Sequence, residues 1–133
     1  MRYLILFSAF IACVLSAKPI APPEFDTPEK RLFFFACDGN VEGIDAALEE
    51  GADINAAEKD SYPPLHISIF QENHGVFEHL LAKGADIHQF SDFGNCDALS
   101  LATIYDRRKM VEKLLDAGAD PNAAEVENYM KEN

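Results

Sequence analysis

One short phrase occurs three times in the sequence at an almost constant interval. It reads G-A-D-I-N from Gly51, G-A-D-I-H from Gly84 and G-A-D-P-N from Gly118, so the copies lie 33 and 34 residues apart. A leucine stands 19 residues before each copy, at Leu32, Leu65 and Leu99. An interval of this length, built from two short helices and a turn, is typical of a stacked repeat array. In such an array each unit buries its apolar face only against its neighbours.

The apolar residues of the second unit fall at helical spacing. Leu65 and Ile69 are four residues apart, and a second apolar run follows at Val76, Phe77, Leu80 and Leu81. Each short helix therefore has one apolar face for a neighbour. The glycine that opens each phrase suits the left-handed conformation that closes a helix. Gly39 is expected to separate the two helices of the first unit in the same way.

On these residues the chain resembles the ankyrin-repeat family. The family's T-P-L-H opening appears as P-P-L-H from Pro63 and as D-A-L-S from Asp97, and the segment from Leu32 to Gly39 is similar to the family's amino-terminal repeats. The resemblance implies an all-α fold, an ankyrin-repeat solenoid of helix-turn-helix units joined by β-hairpin loops. The implied domain, residues 28–133, divides into repeats at about 28–55, 56–88 and 89–122 and a carboxy-terminal cap at 123–133.

Some residues depart from the family pattern and predict local weakness in the second repeat. Pro63 stands where a threonine would cap the helix, and the missing side-chain cap is worth about 1 kcal/mol. Asp97 can still cap the corresponding helix of the third repeat. Glu72 and Asp106 replace the usual glycine between the two helices, and an aspartate tolerates that turn better than a glutamate does.

Residues 1–17 have the layout of a secretory signal peptide: Arg2, an apolar run from Tyr3 to Leu15, and small residues before Lys18. The run is too short to span a membrane, because its helix would rise about 20 Å against a hydrocarbon core of about 30 Å. A secreted or periplasmic location is therefore predicted. Alternatively, the sequence F-I-A-C ending at Cys13 resembles a bacterial lipobox, which would make the protein a lipid-anchored periplasmic scaffold. The Pro-rich leader at residues 18–27 is expected to act as a spacer.

The net charge of −12, or −13 once Arg2 is removed, disfavours nucleic acid as a partner because phosphate would be repelled. It favours a basic protein partner. Four of the positive charges cluster near the start of the last helix, at Arg107, Arg108, Lys109 and Lys113. This basic cluster is either a solvated turn or a docking site for an acidic partner.

No catalytic residue, metal site or cofactor is predicted. His66 occupies the T-P-L-H position, where the resemblance implies a structural hydrogen bond. His74 and His79 are five residues apart and so do not share a helix face, and no cysteine lies near a histidine at metal-site spacing. Ser68 and Ser100 lack the glycine elbow of a hydrolase. The chain is therefore not expected to be an enzyme.

The two cysteines outside the signal segment are not expected to pair. In the ankyrin register Cys37 lies near the end of the first helix, and Cys96 lies at the start of the third repeat. Repeats stack about 10 Å apart, which places these residues beyond the roughly 7 Å that a disulfide can bridge. Two free thiols are predicted.

The resemblance also implies a concave side, formed by hairpin tips and first helices, that grips protein partners. Carried over by position, this candidate site comprises Asp38, Lys59, Asp60, Tyr62, Phe70, Gln71, Phe93, Ile104 and Tyr105. An alternative is that Phe70 and Ile104 pack between repeats. The chain is thus expected to be an exported, non-catalytic module that binds a protein and inhibits or protects it. A lipid-anchored scaffold and an undetected enzyme are the other hypotheses.

Overall fold

The structure, a computed structural model, describes residues 21–57, 61–91 and 96–122. These residues form three pairs of α-helices, which are α1 (Pro28–Asp38) with α2 (Val41–Glu49), α3 (Pro64–Phe70) with α4 (His74–Ala82), and α5 (Ala98–Ile104) with α6 (Arg108–Asp116). Each second helix packs on the first helix of its own pair, and α1, α3 and α5 pack in a row. The described part of the chain is therefore an all-α repeat solenoid, as predicted. The expected hairpin is represented there by one antiparallel bridge between Ser91 and Cys96. The predicted signal segment and carboxy-terminal cap lie outside the described residues.

The core is built from the helical faces that the sequence pattern indicated. Leu32, Leu65 and Leu99, the leucines that precede the repeated phrase, have 0%, 2% and 1% of their surface exposed. The largest side chains buried with them come from both helices of each pair and include Phe35, Ile44, Ile69, Phe77, Leu80, Met110 and Leu114. One continuous core therefore runs through all three repeats.

Four of the six helices begin with a side-chain cap, which gives an unpaired amide of the first turn an acceptor. The capping residues are Thr27, Asn40, Asn73 and Asp97. The other two helices have no such cap, because Pro63 precedes α3 and Arg107 precedes α6 at the capping position. The expected loss of the cap at Pro63 and its retention at Asp97 are both confirmed.

The turn between paired helices needs a left-handed residue in every repeat. Gly39 has φ 77° in the first repeat, whereas Glu72 and Asp106 adopt φ 56° and 53° in the second and third. A side chain in this region is uncommon, and for a glutamate it stores strain. The two residues that depart from the family pattern therefore keep its backbone geometry at a local cost.

The repeated G-A-D phrase closes each repeat with the same turn. The aspartate carboxylate accepts a hydrogen bond from the amide two residues later, at 2.9 Å in each repeat. Asn55 then extends the turn to the next repeat, because its side-chain oxygen accepts from Asp86 N at 2.8 Å. His88 stands at the equivalent place one repeat later and makes no such bond to Asp120 within the described residues. The repeated turns of the first and second repeats are thus tied by Asn55, and the corresponding bond from His88 is missing among the described residues.

The leader does more than the spacer that the sequence predicted. Pro22 is buried, and the Phe25 ring lies 4.8 Å from the Phe34 ring of α1. Lys30 bonds back to Asp26 at 2.7 Å. No helix pair lies before α1 among the described residues, and residues 21–26 pack where such a pair would cover its outer face.

We predict that Pro63→Thr raises the melting temperature by a few degrees. A hydroxyl at this position can accept from the uncapped amide of α3, a gain of about 1 kcal/mol. Part of this gain is offset, because removing the proline raises the conformational entropy of the unfolded chain. Thermal unfolding by circular dichroism measures the net effect, and Asp97→Ala serves as the reciprocal control that should lower it. An unchanged or lower melting temperature for Pro63→Thr would show that residue 63 is not the capping position of α3.

Candidate functional site

Large apolar side chains are exposed at one place on the stack. Phe70, Ile104 and Tyr105 have 48%, 53% and 39% of their surface exposed, and they lie at the ends of α3 and α5. Phe70 and Ile104 are therefore not buried between repeats, although Phe70 contacts a ring of the next repeat. Because α3 and α5 are neighbours in the row of first helices, these side chains form one surface together with Tyr62, which we call the aromatic patch. Phe90, 58% exposed, lies on the following loop.

The rings of the aromatic patch contact one another across the junction between the second and third repeats. Phe70 and Tyr105 meet edge to face, with centroids 5.4 Å apart and planes at 88°. Tyr62 lies 6.2 Å from Phe70 and is half-buried against the core. Desolvation is the largest cause raising the pKa of Tyr62, ahead of Cys96 and Tyr105, so its hydroxyl remains a neutral donor at physiological pH. Contacts of this kind stabilise a ring pair by about 1 kcal/mol beyond burial alone.

His66 supports the patch from below and makes the structural hydrogen bond expected of it. Its side chain is fully buried, stacks on Tyr62 at 6.0 Å, and donates from Nε2 to the carbonyl oxygen of Cys96 at 3.3 Å. The Nδ1 atom has no hydrogen-bond partner in the structure. Burial lowers the pKa of His66, partly offset by the Cys96 carbonyl and Asp97, so the imidazole is neutral.

Arg107 holds the two repeats together at the edge of the patch. Its guanidinium donates to the carbonyl oxygens of Ile69 and Phe70 at 3.3 and 3.2 Å, and pairs with the Glu72 carboxylate at 2.5 Å. The same group lies 6.0 Å from the centre of the Tyr105 ring. It therefore binds the last carbonyls of α3, which have no partner inside the helix, and fixes Phe70 against Tyr105.

Sequence reasoning placed Arg107 in the basic cluster and missed this role. The available signal was its position, because Arg107 aligns with Asn40 and Asn73, which cap the second helices of their own repeats. An arginine at a capping position has no side-chain acceptor for the helix amides, and its long side chain can instead donate hydrogen bonds to a neighbouring repeat. Arg108 bonds to Asp106 at 3.1 Å, and Lys113 pairs with Glu78. Three members of the basic cluster are thus engaged within the chain, which disfavours the hypothesis of an acidic partner there.

The structure brings part of the predicted site together. Tyr62, Phe70 and Tyr105 are joined by ring contacts, and Ile104 lies beside Tyr105 on the same exposed helix end. Asp38 and Gln71 are exposed and align with Tyr105 at the ends of α1 and α3. The remaining predicted residues, Lys59, Asp60 and Phe93, lie outside the described residues.

Other reactive groups are dispersed over the fold. His79 pairs with Asp45 at 2.7 Å, across the first two repeats. Cys37 and Cys96 are both free thiols, and desolvation, followed by the neighbouring Asp38, raises the pKa of Cys37 to about 11. Within residues 21–57, 61–91 and 96–122 there is no group of three or more ligand side chains that could hold a metal ion. In the same ranges no helix has the length and apolar character needed to cross a membrane.

Comparison with known proteins matches this architecture. A family model described as ankyrin repeats, in three copies, matches residues 32–125. A putative ankyrin repeat-containing protein of Treponema pallidum is 32% identical over 96 residues, which cover 71% of this chain and 32% of that protein. A mitochondrial disaggregase of Bos taurus is 30% identical over 62% of this chain and 17% of its own length. Ankyrin repeat and SOCS box protein 6 of Pongo abelii is 33% identical over 65% and 21% respectively. The chain therefore spans less than a third of the length of these relatives.

We predict that Arg107→Asn separates the aromatic pair without unfolding the domain. Asparagine can restore the missing cap of α6, worth about 1 kcal/mol, while the ion pair with Glu72 contributes at most about that much. The free energy of unfolding should thus change little. Nuclear Overhauser effects between the Phe70 and Tyr105 rings should weaken, because the clamp on α3 is lost. Arg108→Asn is the control, and equal ring contacts in both variants would contradict the proposed role of Arg107.

We also predict that His66 makes the fold acid-sensitive. Its folded pKa is lowered, so below the unfolded value near 6.5 the unfolded chain takes up a proton that the folded chain resists. Stability is complete above that value and falls as the pH drops through it towards the folded pKa. The free energy of unfolding should therefore be lower at pH 5.5 than at pH 7.5. Urea unfolding should show a smaller loss for His66→Gln, and identical pH slopes would contradict the assignment.

Proposed function

Because the chain belongs to the ankyrin-repeat family, whose repeats generally mediate protein–protein interactions, we propose that it is a non-catalytic module that binds a protein partner through the aromatic patch. The observation that carries this proposal is the exposed ring pair of Phe70 and Tyr105 at the junction of two repeats. Two aromatic side chains that are about half exposed, although a packed core lies beside them, mark a surface that gains stability when it is covered.

The geometry suits an interface more than a reaction. Aromatic side chains bury a large area while losing few rotamers, and they are frequent among the residues that dominate binding energy. Arg107 and the packing of Tyr62 hold the rings in place before any partner arrives, which reduces the entropy lost on binding. The carboxylates next to the rings, Glu72 and Asp106, are already paired with Arg107 and Arg108.

The state of His66 and Cys37, two reactive groups among the described residues, supports a non-catalytic role. His66 is the nearest imidazole, and it is buried beneath Tyr62. Cys37 has a pKa of about 11 and is therefore a protonated, weakly nucleophilic thiol at neutral pH. Neither group is poised to act as a base or nucleophile towards a bound molecule.

The proposed site of action is the periplasm or the cell exterior. The support is the charged, apolar and small-residue order of residues 1–17. By covering the surface of a secreted or envelope protein, the module would inhibit that protein or protect it. If Cys13 is acylated instead, the same module would act as a scaffold tethered to the membrane.

We predict that Phe70→Ala and Tyr105→Ala each weaken binding at least tenfold. Truncating an aromatic residue at the centre of an interface commonly costs 2 kcal/mol or more. Glu78→Ala and Lys83→Ala, on α4, are the controls, because they remove exposed ion pairs of small energetic worth. The partner is captured from the native compartment with the chain as bait, and calorimetric titration then gives the affinities. Equal losses in all four variants, with helicity intact, would place the binding site elsewhere.

We further predict that residues 1–17 are absent from the protein recovered from cells. Mass spectrometry of its amino terminus decides among three outcomes. An unmodified start near Lys18 supports export by a cleaved signal peptide, whereas an acylated Cys13 supports the lipid-anchored scaffold. Recovery of an intact Met1 terminus would refute both routes.

A further inference from the structure

The positions that form the aromatic patch carry different chemistry in the first repeat. Cys37, Phe70 and Ile104 are equivalent in the three repeats, as are Asp38, Gln71 and Tyr105, because each set ends the first helix of its pair. The exposed edge of the stack therefore changes along its length. It is aromatic and aliphatic at the second and third repeats, and acidic at the first.

The ion pairs along this edge add to the difference between its acidic first repeat and its apolar second and third repeats. Next to the rings, Glu72 and Asp106 are neutralised by Arg107 and Arg108. Asp38 is exposed and has no ion pair with any described residue. The chain as a whole has a net charge of −12, so the field around Asp38 is not offset by distant cations.

We propose, on the basis of the binding function above, that the occupant is a protein segment with two features in a fixed order along the stack. An apolar or aromatic side chain sits against the Phe70 and Tyr105 rings, and a lysine or arginine of the same segment lies at Asp38. Neighbouring repeats stack about 10 Å apart, and an extended chain advances about 3.3 Å per residue. The anchor and the basic residue are thus about three to six residues apart.

The reverse arrangement is unfavourable at both ends. A basic residue over the rings would meet the guanidinium of Arg107, which lies 6.0 Å from the Tyr105 ring centre. An apolar anchor at the first repeat would meet Asp38 and cover a carboxylate that has no partner, which costs free energy. The gradient therefore selects one direction of the bound segment, and the acidic end attracts segments of the required charge.

The test uses a display library of random linear peptides as the probe. Peptides are selected on the purified full chain and depleted on the Tyr105→Ala variant, so that only binders of the aromatic patch remain. We expect an apolar or aromatic residue, with lysine or arginine enriched on one side of it. A synthetic peptide with the order reversed should bind at least tenfold more weakly in fluorescence anisotropy.

Two charge variants test the role of Asp38. Asp38→Asn should weaken binding of the selected peptide at least threefold and reduce its salt dependence. Glu49→Gln is the matched control, because Glu49 is also the exposed last residue of its helix. An acid at a helix carboxy terminus is unfavourable, so neither substitution should unfold the domain. Bound peptide should also slow maleimide labelling of exposed Cys37, with buried Cys96 as the internal reference.

The outcomes separate this inference from the function on which it rests. Tyr105-dependent peptides without basic enrichment, or equal effects of Asp38→Asn and Glu49→Gln, would overturn the directional recognition and leave binding at the patch intact. If the depletion step removes every selected peptide, because all of them bind the Tyr105→Ala variant as well as the original chain, both proposals are overturned.

Discussion

Each helix pair of this chain has an apolar face that only a neighbouring pair can cover, and the rest of the structure depends on that mutual burial. Leu32, Leu65 and Leu99 occupy the same place in the row of first helices, with at most 2% of their surface exposed. Burying a leucine side chain stabilises a fold by roughly 2 kcal/mol. Neighbouring repeats are therefore held at the distance at which these leucines are covered. Phe70 and Tyr105 meet only because this spacing brings the ends of α3 and α5 together.

The departures from ideal local structure collect around the aromatic patch. Pro63 leaves α3 uncapped beside Tyr62, Glu72 adopts a left-handed conformation two residues after Phe70, and Arg107 leaves α6 uncapped two residues after Tyr105. Natural sequences tend to violate local rules where function requires it. Two of these departures act together, since the carboxylate of Glu72 binds the guanidinium of Arg107, the residue at the uncapped position.

Local features of the fold were predictable from the sequence, and contacts between repeats were not. The period, the caps at Thr27 and Asp97 and the left-handed turns follow from residues close together in the chain. The reach of Arg107 to Ile69 depends on how far apart two repeats lie, which no local pattern encodes. The packing of Phe25 on Phe34 was missed for the same reason, because it responds to an uncovered helix face. The predicted rings Tyr62, Phe70 and Tyr105 do lie together, but the sequence did not indicate what holds them, and their role in binding stays a prediction.

The missing tie between His88 and Asp120 makes the two junctions of the stack unequal. The first junction is fastened at its arm by Asn55, whereas the described bonds across the second junction come from His66 and Arg107 near the rings and from the pair of Lys113 with Glu78. When the third repeat opens locally, the ring pair that spans this junction is lost with it. A ligand that binds only the closed form must therefore hold the junction shut, by an amount that grows with the logarithm of its concentration. If the proposed partner binds this form, its abundance would set how long the third repeat survives proteolysis.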